Sequence, residues 1–399
     1  MTTRLAIVAS HPIQYQAPWF RALARETDLT VFFCQRQDAA GQAAAGFGVE
    51  FDWDVPLLDG YRFHWLENRA RTPDVSTFSG CDTPELDQRI RTGNFDACIV
   101  SGWYLKSYLQ AIRACRKYHV PVFLRGDSQL ATRRSPLVGA AKYLPYRWLL
   151  RHVDGHLYVG HANREYLRHY GVPDNRLFFV PHFVDNAFFA DRARAARADG
   201  SVDTVRRDAA ASSDTSLFVF AGKLVDKKRP ADFIRALARA KETDAVCGVM
   251  VGSGSLDSEL RRLAADLAAP VTFAGFRNQT ELPAYFAAAD ALVLPSDAGE
   301  TWGLVVNEAM ACGTPAIVSR AAGCAPDLID ENETGYTFEL GDVNGLADRM
   351  KQVRARLQRG RNPFTPAVLD KIARYDVRTA SSGTLEALAS TRAAMSQAI

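Results

Sequence analysis

The sequence predicts an α/β protein in which two doubly wound domains with mostly parallel sheets face a central cleft. Short apolar runs alternate with amphipathic stretches along most of the 399 residues, and this alternation is typical of βαβ units. The alternation occurs in two series, which a segment of small and charged residues separates. With 47% apolar and 23% charged residues, the chain has the composition of a globular protein and not of a disordered one.

The first series predicts an N-terminal domain over residues 1–190. Its buried apolar runs predict strands at 5–9, 29–34, 97–100, 120–124, 155–159 and 177–180. Amphipathic stretches predict helices at 19–25, 104–118 and 162–170. Residues 191–215 contain few large apolar side chains, so we expect a linker between the domains there.

The second series predicts a C-terminal domain over residues 216–373. Its predicted strands are 217–221, 246–251, 271–273, 291–294 and 316–319. Its predicted helices are 230–240, 258–267, 282–288 and 304–311. The tail, residues 374–399, is rich in alanine and predicts one or two further helices. Because ligands of such sheets bind beyond the carboxyl ends of the strands, residues that carry chemistry should directly follow strands.

Composition also limits the class of protein. The 48 basic and 45 acidic side chains leave a net charge of +3, which does not indicate a nucleic-acid binder. No apolar run approaches the roughly 20 residues of a membrane span, and the N-terminal run is too short for a signal peptide, so we expect a cytoplasmic protein. The seven cysteines include no C-x-x-C pair, which argues against a disulfide framework and against a zinc site. The abundance of alanine and arginine suggests a bacterial origin.

Residues 102–153 are strongly basic. They contain ten lysines and arginines against a single acid, Asp127, and aromatic and leucine side chains lie between the charges. One interpretation is a solvated basic face over a core helix. The other is contact with an anionic acceptor or peripheral contact with the anionic inner face of a membrane. No nucleic-acid-binding module is recognisable in this segment, so we expect no nucleic-acid partner.

The most informative motif follows the predicted strand 291–294. A loop that contains Glu300 leads into a helix that begins near Gly303 and carries Glu308. The N-terminus of a helix offers free N–H groups and a positive dipole end, which favour a diphosphate. Eight residues separate the two glutamates, which is at most about 12 Å along a helix. They can therefore flank a diphosphate and accept hydroxyl groups from a hexose at one end and a ribose at the other.

Three weaker motifs also follow strands of the second domain. Gly222 and Lys223 begin a turn that continues to Lys228, and the ammonium groups can neutralise a leaving diphosphate. The turn 251–254 contains Gly252 and Gly254, and a tight turn explains these glycines as well as a phosphate site does. The turn after strand 271–273 ends at Arg277 and can present its backbone to a nucleobase.

On these motifs the second domain resembles that of the retaining family 4 glycosyltransferases of the GT-B fold. The similarity covers about residues 215–350, and the first domain is matched more loosely. The resemblance implies a nucleotide-sugar donor in the second domain and an acceptor in the first, with UDP-sugar or GDP-sugar as the favoured donors. It implies no cofactor and no metal, and a last helix that crosses back to the first domain.

The resemblance also implies roles for individual residues. Glu300 would contact the donor sugar, and Glu308 would hold the ribose. Lys223 and Lys228 would bind the diphosphate. The backbone of the four residues after Glu300 would contact sugar and phosphate: Thr301, Trp302, Gly303 and Leu304.

The sequence departs from the family pattern in four places. Lys223 stands where the family often has arginine, and Cys324-Ala-Pro-Asp327 replaces a glycine-rich run that ends in glutamate. The glycine-rich turn after the first strand is replaced by a segment with His11 and Gln14, which we expect to contact the acceptor. A histidine that often follows the strand at 120–124 is missing. Arg125 is instead expected to contact the acceptor and Asp127 to act in catalysis.

Two other polar features are interpreted more simply. Asp52-Trp53-Asp54 is an Asp-x-Asp sequence, which metal-dependent glycosyltransferases of another fold use to hold a cation. No second acidic cluster accompanies it, so we predict no metal site. His182 lies near the junction of the domains, and we expect a structural role for it.

The sequence therefore predicts a retaining, metal-independent glycosyltransferase that moves a sugar from a nucleotide diphosphate to an acceptor hydroxyl. The acceptor is expected to be a saccharide, a glycolipid or a small molecule, for example in surface polysaccharide or glycolipid assembly. Two alternatives stay open. One is a nucleotide-sugar-binding protein without transfer activity, and the other is a GT-B enzyme that epimerises or hydrolyses the donor.

Overall fold

A computed structural model describes residues 2–132, 135–357 and 364–397 of the chain. Within them, seven strands form a parallel sheet in the first domain and six form a parallel sheet in the second. The first sheet contains β1 (Arg4–Ala9), β2 (Asp28–Phe33), β3 (Arg62–Trp65), β4 (Ala97–Val100), β5 (Val122–Gly126), β6 (Gly155–Tyr158) and β7 (Leu177–Phe179). The second contains β8 (Ser216–Ala221), β9 (Val246–Val251), β10 (Val271–Gly275), β11 (Ala291–Leu294), β12 (Ala316–Ser319) and β13 (Gly335–Phe338).

Helices connect the strands and cover both faces of each sheet. Those up to the domain junction are α1 (Gln16–Glu26), α2 (Ala39–Gln42), α3 (Glu85–Thr92), α4 (Lys106–Lys117), α5 (Pro136–Arg151), α6 (His161–His169), α7 (Asn186–Ala198) and α8 (Ser201–Asp208). The later ones are α9 (Pro230–Ala240), α10 (Asp257–Asp266), α11 (Leu282–Ala288), α12 (Leu304–Ala311), α13 (Ala325–Leu328), α14 (Val343–Leu357), α15 (Thr365–Ile372) and α16 (Val377–Gln397). No helix in the described part of the chain has the length and apolar character that crossing a bilayer requires.

The strand order places a ligand-binding crevice in each sheet. The first sheet runs β3-β2-β1-β4-β5-β6-β7 and the second runs β10-β9-β8-β11-β12-β13. The order therefore reverses between β1 and β4, and again between β8 and β11. In doubly wound sheets ligands bind at this reversal, outside the carboxyl ends of the strands. The prediction of two doubly wound domains is confirmed, although the short strands β3 and β13 were not predicted.

The segment 191–215, where we expect a linker between the domains, is mostly helical. Helices α7 and α8 occupy most of this segment, and both pack against α11 of the second domain. The buried face of α7 consists of Phe189, Ala193 and Ala196. Alanine is the best helix former, and its small side chain lets two helices approach closely. The segment lacks large apolar residues because its helix packs through alanines, and not because it is irregular.

The C-terminal helix returns to the first domain. α16 packs against α1, β6 and β7. Its Gly383 lies so close to β7 that a Cβ atom there would be 2.1 Å from the carbonyl oxygen of Phe179. The end of the chain thus joins the two domains a second time, after the crossing through residues 180–186.

Arg125 is part of this junction and not of an acceptor site. Its side chain is buried at the end of β5, and its guanidinium donates hydrogen bonds to the carbonyl oxygens of Val180 (2.8 Å) and Pro181 (3.1 Å). The same group lies over the rings of Trp19 and Phe183. The structure therefore does not support the expected contact between Arg125 and the acceptor, because the buried guanidinium binds the backbone of the domain junction.

Replacement of this side chain tests its role in the junction. We expect Arg125→Met to lower the melting temperature of the first domain by about 5–10 °C, because two buried carbonyl groups lose their donors. Differential scanning calorimetry measures the change. Arg113→Met, at an exposed position of α4, is the matched control. An equal melting temperature for Arg125→Met and the control would contradict the assignment.

Candidate active site

A cavity of about 510 Å³ lies between the two domains, at the carboxyl ends of β8 and β11. Most of the residues predicted for the site line it: Gln14, Asp127, Gly222, Lys223, Lys228, Gly252, Arg277, Glu300, Thr301, Trp302, Gly303, Leu304 and Glu308. His11, Arg125 and Gly254 do not line it. The predicted motifs of the second domain therefore meet at one place, together with two predicted residues of the first.

An ion pair occupies the centre of the cavity. The ammonium group of Lys228 contacts the carboxylate of Glu300, and both side chains are mostly buried. Lys228 ends a short 3₁₀ turn after β8, and Glu300 lies in the loop after β11. These two strands are neighbours in the sheet, so the strand order brings the residues together although 72 positions separate them. The pair places a cation and a hydrogen-bond acceptor side by side.

Lys223 adds a second cation to the wall of the cavity. Burial, together with the nearby charges of Lys227 and Lys228, lowers the pKa of Lys223 to about 8. The ammonium group lies 4.2 Å from the centre of the Phe47 ring. An anion in the cavity would offset the repulsion among these lysines and would favour the protonated form of Lys223.

Glu308 lies at another part of the wall, on α12. Its carboxyl group is almost fully buried, and burial raises its pKa to about 7. Gln279 donates a hydrogen bond to it at 3.4 Å. A buried carboxyl group with one long hydrogen bond retains capacity to accept hydroxyl donors from a ligand.

The N-terminus of α12 also faces the cavity. Gly303 precedes the helix with φ of 110°, and the residues Gly303, Leu304 and Val305 line the wall. Free N–H groups at the start of a helix bind phosphate groups well. The described arrangement of two lysines, one helix N-terminus and two carboxyl groups therefore suits a diphosphate that carries hydroxyl-rich groups at both ends.

The loop after β11 is bound directly by the first domain. Thr301 Oγ1 donates a hydrogen bond to Asp127 Oδ2 at 2.6 Å. Gln129 Nε2 donates to the carbonyl oxygens of Ala298 (3.0 Å) and Glu300 (3.2 Å). Asp127 thus lines the cavity as predicted, and in this structure its carboxylate also links the two domains.

The glycines after β9 serve the packing of two neighbouring turns. A Cβ atom on Gly252 would lie 1.9 Å from the carbonyl oxygen of Gly222, and φ of Gly252 is 139°. Gly254 lies behind the wall, where a Cβ atom would be 2.6 Å from the carbonyl oxygen of Leu224. Gly254 is therefore needed for the close approach of backbones and not for direct contact with a ligand.

His11 and His182 lie in different surroundings. His11 does not line the cavity. Its ring is within hydrogen-bond distance of Ser10 Oγ (3.0 Å), and burial lowers its pKa to about 4. The expected contact between His11 and the acceptor is thus not supported. His182 does line the cavity, where its ring packs against Tyr15 and Trp302, and burial holds its pKa well below the ordinary value.

Sequence reasoning missed an aromatic wall of the cavity. Phe47 and Trp53 reach it from the first domain, and Phe276 reaches it from the second. The sequence Asp52-Trp53-Asp54 was considered only as a possible metal site, so the position of Trp53 in the cavity wall was missed. In the structure Asp54 instead accepts hydrogen bonds from the backbone N–H and hydroxyl of Thr280. Within the described residues, no cluster of three or more His, Cys, Asp or Glu side chains is arranged to hold a metal ion.

Family comparisons cover both domains. The family described as "Glycosyl transferase 4-like domain" matches residues 12–182, and the family described as "Glycosyl transferases group 1" matches residues 201–356. Among curated proteins, a D-inositol 3-phosphate glycosyltransferase of Thermomonospora curvata is 32% identical over 203 residues, which are 48% of this chain and 46% of that protein. An N-acetyl-alpha-D-glucosaminyl L-malate synthase of Bacillus anthracis is 28% identical over 182 residues, which are 45% of each chain. The chain thus spans about half the length of the curated relatives it matches.

Solved structures share the whole fold at low sequence identity. Anabaena HepE in complex with UDP and glucose superposes with a TM-score of 0.68 at 16% identity, covering 98% of this chain and all of that one. Sucrose-phosphate synthase from Thermosynechococcus elongatus superposes with a TM-score of 0.71 at 18% identity, again over 98% of this chain and all of that one. Such likeness establishes the arrangement of both domains.

The fold is therefore GT-B, with two Rossmann-like domains around a cleft. The chain resembles the family 4 glycosyltransferases in both domains, since each domain matches a family model that is described as a glycosyl transferase.

The state of Lys223 tests the electrostatics of the site. We expect Lys223 to titrate near pH 8, well below an exposed lysine, because burial and two neighbouring lysines disfavour its charge. Inorganic pyrophosphate should raise this pKa. NMR spectra of the protein with ¹³C-methylated lysines measure both values, and the Lys223→Arg variant assigns the signal by its loss. A titration of Lys223 near 10.5, the ordinary value for a lysine, would contradict the buried environment.

Proposed function

We propose that the chain is a retaining, metal-independent glycosyltransferase that uses a nucleotide diphosphate sugar. The observation that carries the proposal is the convergence of Glu300, Glu308 and two lysines on one interdomain cavity. A nucleotide sugar contains a diphosphate with a hexose at one end and a ribose at the other. The cavity offers a cationic centre with a carboxyl group on either side, which matches this order of groups.

Each part of the donor has a partner in the proposal. The diphosphate lies between Lys223, Lys228 and the N-terminus of α12, where positive charge and free N–H groups face it. The ribose hydroxyls donate to Glu308, and the sugar hydroxyls donate to Glu300. UDP-sugars and GDP-sugars are the favoured donors. The complexes of Anabaena HepE with UDP and with UDP-glucose support a nucleotide site in a fold of this kind.

The reaction exchanges one bond at the anomeric carbon of the sugar. The bond from this carbon to the diphosphate oxygen breaks, and a bond to the acceptor oxygen forms on the same face of the ring. The acceptor proton passes to the departing phosphate oxygen. Lys223 and Lys228 stabilise the charge that develops on the diphosphate, which is the role a metal ion has in other enzymes.

The acceptor approaches from the first domain. Gln14 and Asp127 line the cavity on that side and offer hydrogen bonds to an acceptor hydroxyl. Asp127 also accepts a hydrogen bond from Thr301. An acceptor that took the place of Thr301 would therefore remove one contact that holds the loop with Glu300. A saccharide, a glycolipid or a small molecule fits this description, and assembly of a surface polysaccharide or glycolipid is the favoured process.

Replacement of Glu300 tests the role of the cavity in transfer. We expect Glu300→Gln to lower sugar transfer on the order of 100-fold while it leaves binding of the nucleotide diphosphate nearly unchanged, because Glu300 contacts the sugar and not the nucleotide. Thermal shifts with UDP, GDP, ADP and dTDP, each with and without EDTA, identify the nucleotide and test the independence from metal. Release of the nucleotide from the matching sugar donors measures turnover.

Three results would contradict the proposal in different ways. Nucleotide release at equal rates with and without acceptor indicates a hydrolase, and binding without turnover of any donor indicates a binding protein. A product of inverted anomeric configuration in NMR spectra excludes retention. Glu242→Gln, at an exposed position of the second domain, is the matched control and should behave as the wild-type protein.

The basic segment of the first domain supports a second part of the proposal, peripheral contact with the anionic inner face of a membrane. One face of α5 exposes Leu137, Leu144 and Trp148, the first two by 83% and 71%. Arg151 of the same helix is exposed near this face, and Lys142 is exposed on another face of the helix. An exposed apolar stripe flanked by cations binds the surface of an anionic bilayer. This location would bring a glycolipid acceptor to the first domain.

A substitution on this stripe tests membrane contact. We expect the wild-type protein to sediment with vesicles made of equal parts of phosphatidylglycerol and phosphatidylcholine but not with pure phosphatidylcholine. Leu144→Glu should reduce the bound fraction at least about fivefold, because it adds an anion to the apolar stripe. Leu369→Glu makes the same change at an exposed position of the second domain and should bind as the wild-type protein does. Equal binding of all three proteins to both vesicles would contradict this part of the proposal.

A further inference from the structure

A segment of the first domain crosses the cleft and lies on the second domain. Residues 38–56, here called the strap, follow β2 and precede β3. The strap begins with α2, which Asp38 caps by accepting a hydrogen bond from the N–H of Gly41 at 2.8 Å. It continues through a π-helical turn, Ala43–Phe47, and then through an irregular stretch to Pro56.

Three contacts attach the strap to turns that border the donor cavity. The hydroxyl of Ser253 donates to the carbonyl oxygen of Phe47. The side-chain amide of Asn278 donates to the carbonyl oxygen of Asp52 at 2.8 Å. The carboxylate of Asp54 accepts from Thr280, through its backbone N–H at 3.1 Å and through its hydroxyl. These partners lie after β9 and β10, so the strap covers the edge of the second sheet where the cavity opens.

Between these contacts the strap presents aromatic rings. Phe51 packs on Phe276 of the second domain with ring centres 4.3 Å apart, and Trp53 packs on Phe51 at 5.0 Å. Phe47 meets Phe276 at 5.8 Å. Phe47, Trp53 and Phe276 all line the cavity. The strap therefore adds two rings to the cavity wall, and Phe51 supports them from behind.

The position of these rings indicates which part of a ligand they meet. Phe47 lies against Lys223, and its ring also meets Trp53 at 6.1 Å and Phe276 at 5.8 Å. Asp54, next to Trp53, binds Thr280, and the adjacent Gln279 binds Glu308. The strap around Trp53 is thus attached beside the residue that contacts Glu308. In the proposed donor arrangement, the nucleoside lies on the Glu308 side and the sugar lies on the Glu300 side.

We propose that Phe47 and Trp53 of the strap bind the nucleobase of the donor together with Phe276, so that the nucleotide pocket is built by both domains. This inference rests on the proposed function and deepens it. Flat aromatic rings stack on the face of any nucleobase, which makes them suitable partners for this group. Because the first domain supplies part of the pocket, donor binding and closure of the cleft depend on each other.

The test compares nucleotide with pyrophosphate binding. Isothermal titration calorimetry measures the dissociation constants of whichever of UDP, GDP, ADP and dTDP binds the wild-type protein best, and of inorganic pyrophosphate. We expect Trp53→Ala to weaken nucleotide binding about tenfold, because a stacking partner is lost. Pyrophosphate, which has no base, should bind within about twofold of wild type. A purely structural role for Trp53 would change both constants alike.

Two acids of the strap, Asp52 and Asp54, provide a matched pair of variants that tests the strap contacts. Asp54→Ala removes the acceptor for Thr280 and should weaken nucleotide binding about fivefold, although Asp54 itself does not line the cavity. Asp52→Ala removes the same charge from the same strap, but Asn278 binds the backbone oxygen at this position, so its nucleotide affinity should equal that of wild type.

Three results would overturn the inference. The first is an unchanged nucleotide affinity in both Trp53→Ala and Asp54→Ala while Glu308→Ala weakens it, which leaves the proposed donor site intact. The second is a parallel loss of nucleotide and pyrophosphate affinity in Trp53→Ala, which indicates a structural effect. The third is the absence of binding of every nucleotide to the wild-type protein, which removes the proposed function as well.

Discussion

The loop between β11 and α12 is held from both domains, and the geometry of the cavity depends on it. The first domain reaches it through Gln129 and Asp127, whose hydrogen bonds engage the carbonyl oxygens of Ala298 and Glu300 and the hydroxyl of Thr301. The second domain holds it through the N–H of Gly323, which donates to the carbonyl oxygen of Glu300 at 3.0 Å. The position of the Glu300 carboxylate therefore depends on contacts from both domains.

Two ionisable groups of the cavity, Lys223 and Glu308, are partly or fully buried, and burial disfavours their charged forms. The pKa of Lys223 is lowered and that of Glu308 is raised, and burial is the main cause in both cases. Keeping such groups buried costs folding stability, because burial disfavours their charged forms. A ligand that offers an anion to Lys223 and hydroxyl donors to Glu308 would offset part of this cost.

Asp327 shows how a departure from the family pattern fits the domain junction. Its carboxylate accepts hydrogen bonds from the N–H of His161 at the start of α6 and from the hydroxyl of Tyr375, which precedes α16. Burial raises the pKa of Asp327. A shorter side chain than glutamate suits this position because the first domain approaches closely: a Cβ atom added to Gly160 would lie 2.9 Å from the carboxylate. The junction thus has its own network, separate from the cavity.

Most strands of the two sheets, and the cavity residues of the second domain, could be predicted from the amino-acid sequence. Apolar runs such as β8 and β11 are visible because strand burial is a local pattern, and Lys228 and Glu300 follow strands that the order of a doubly wound sheet makes neighbours. The sequence did not show which residues distant in the chain these side chains contact, because only the packed structure brings the two together. Arg125 binds the backbone of the domain junction, and Asp54 binds Thr280 of the other domain. Helices α7 and α8 occupy most of residues 191–215 and pack against α11, which offers a surface for small side chains. In each case the local residues suit several partners equally, and only packing across the two domains selects one.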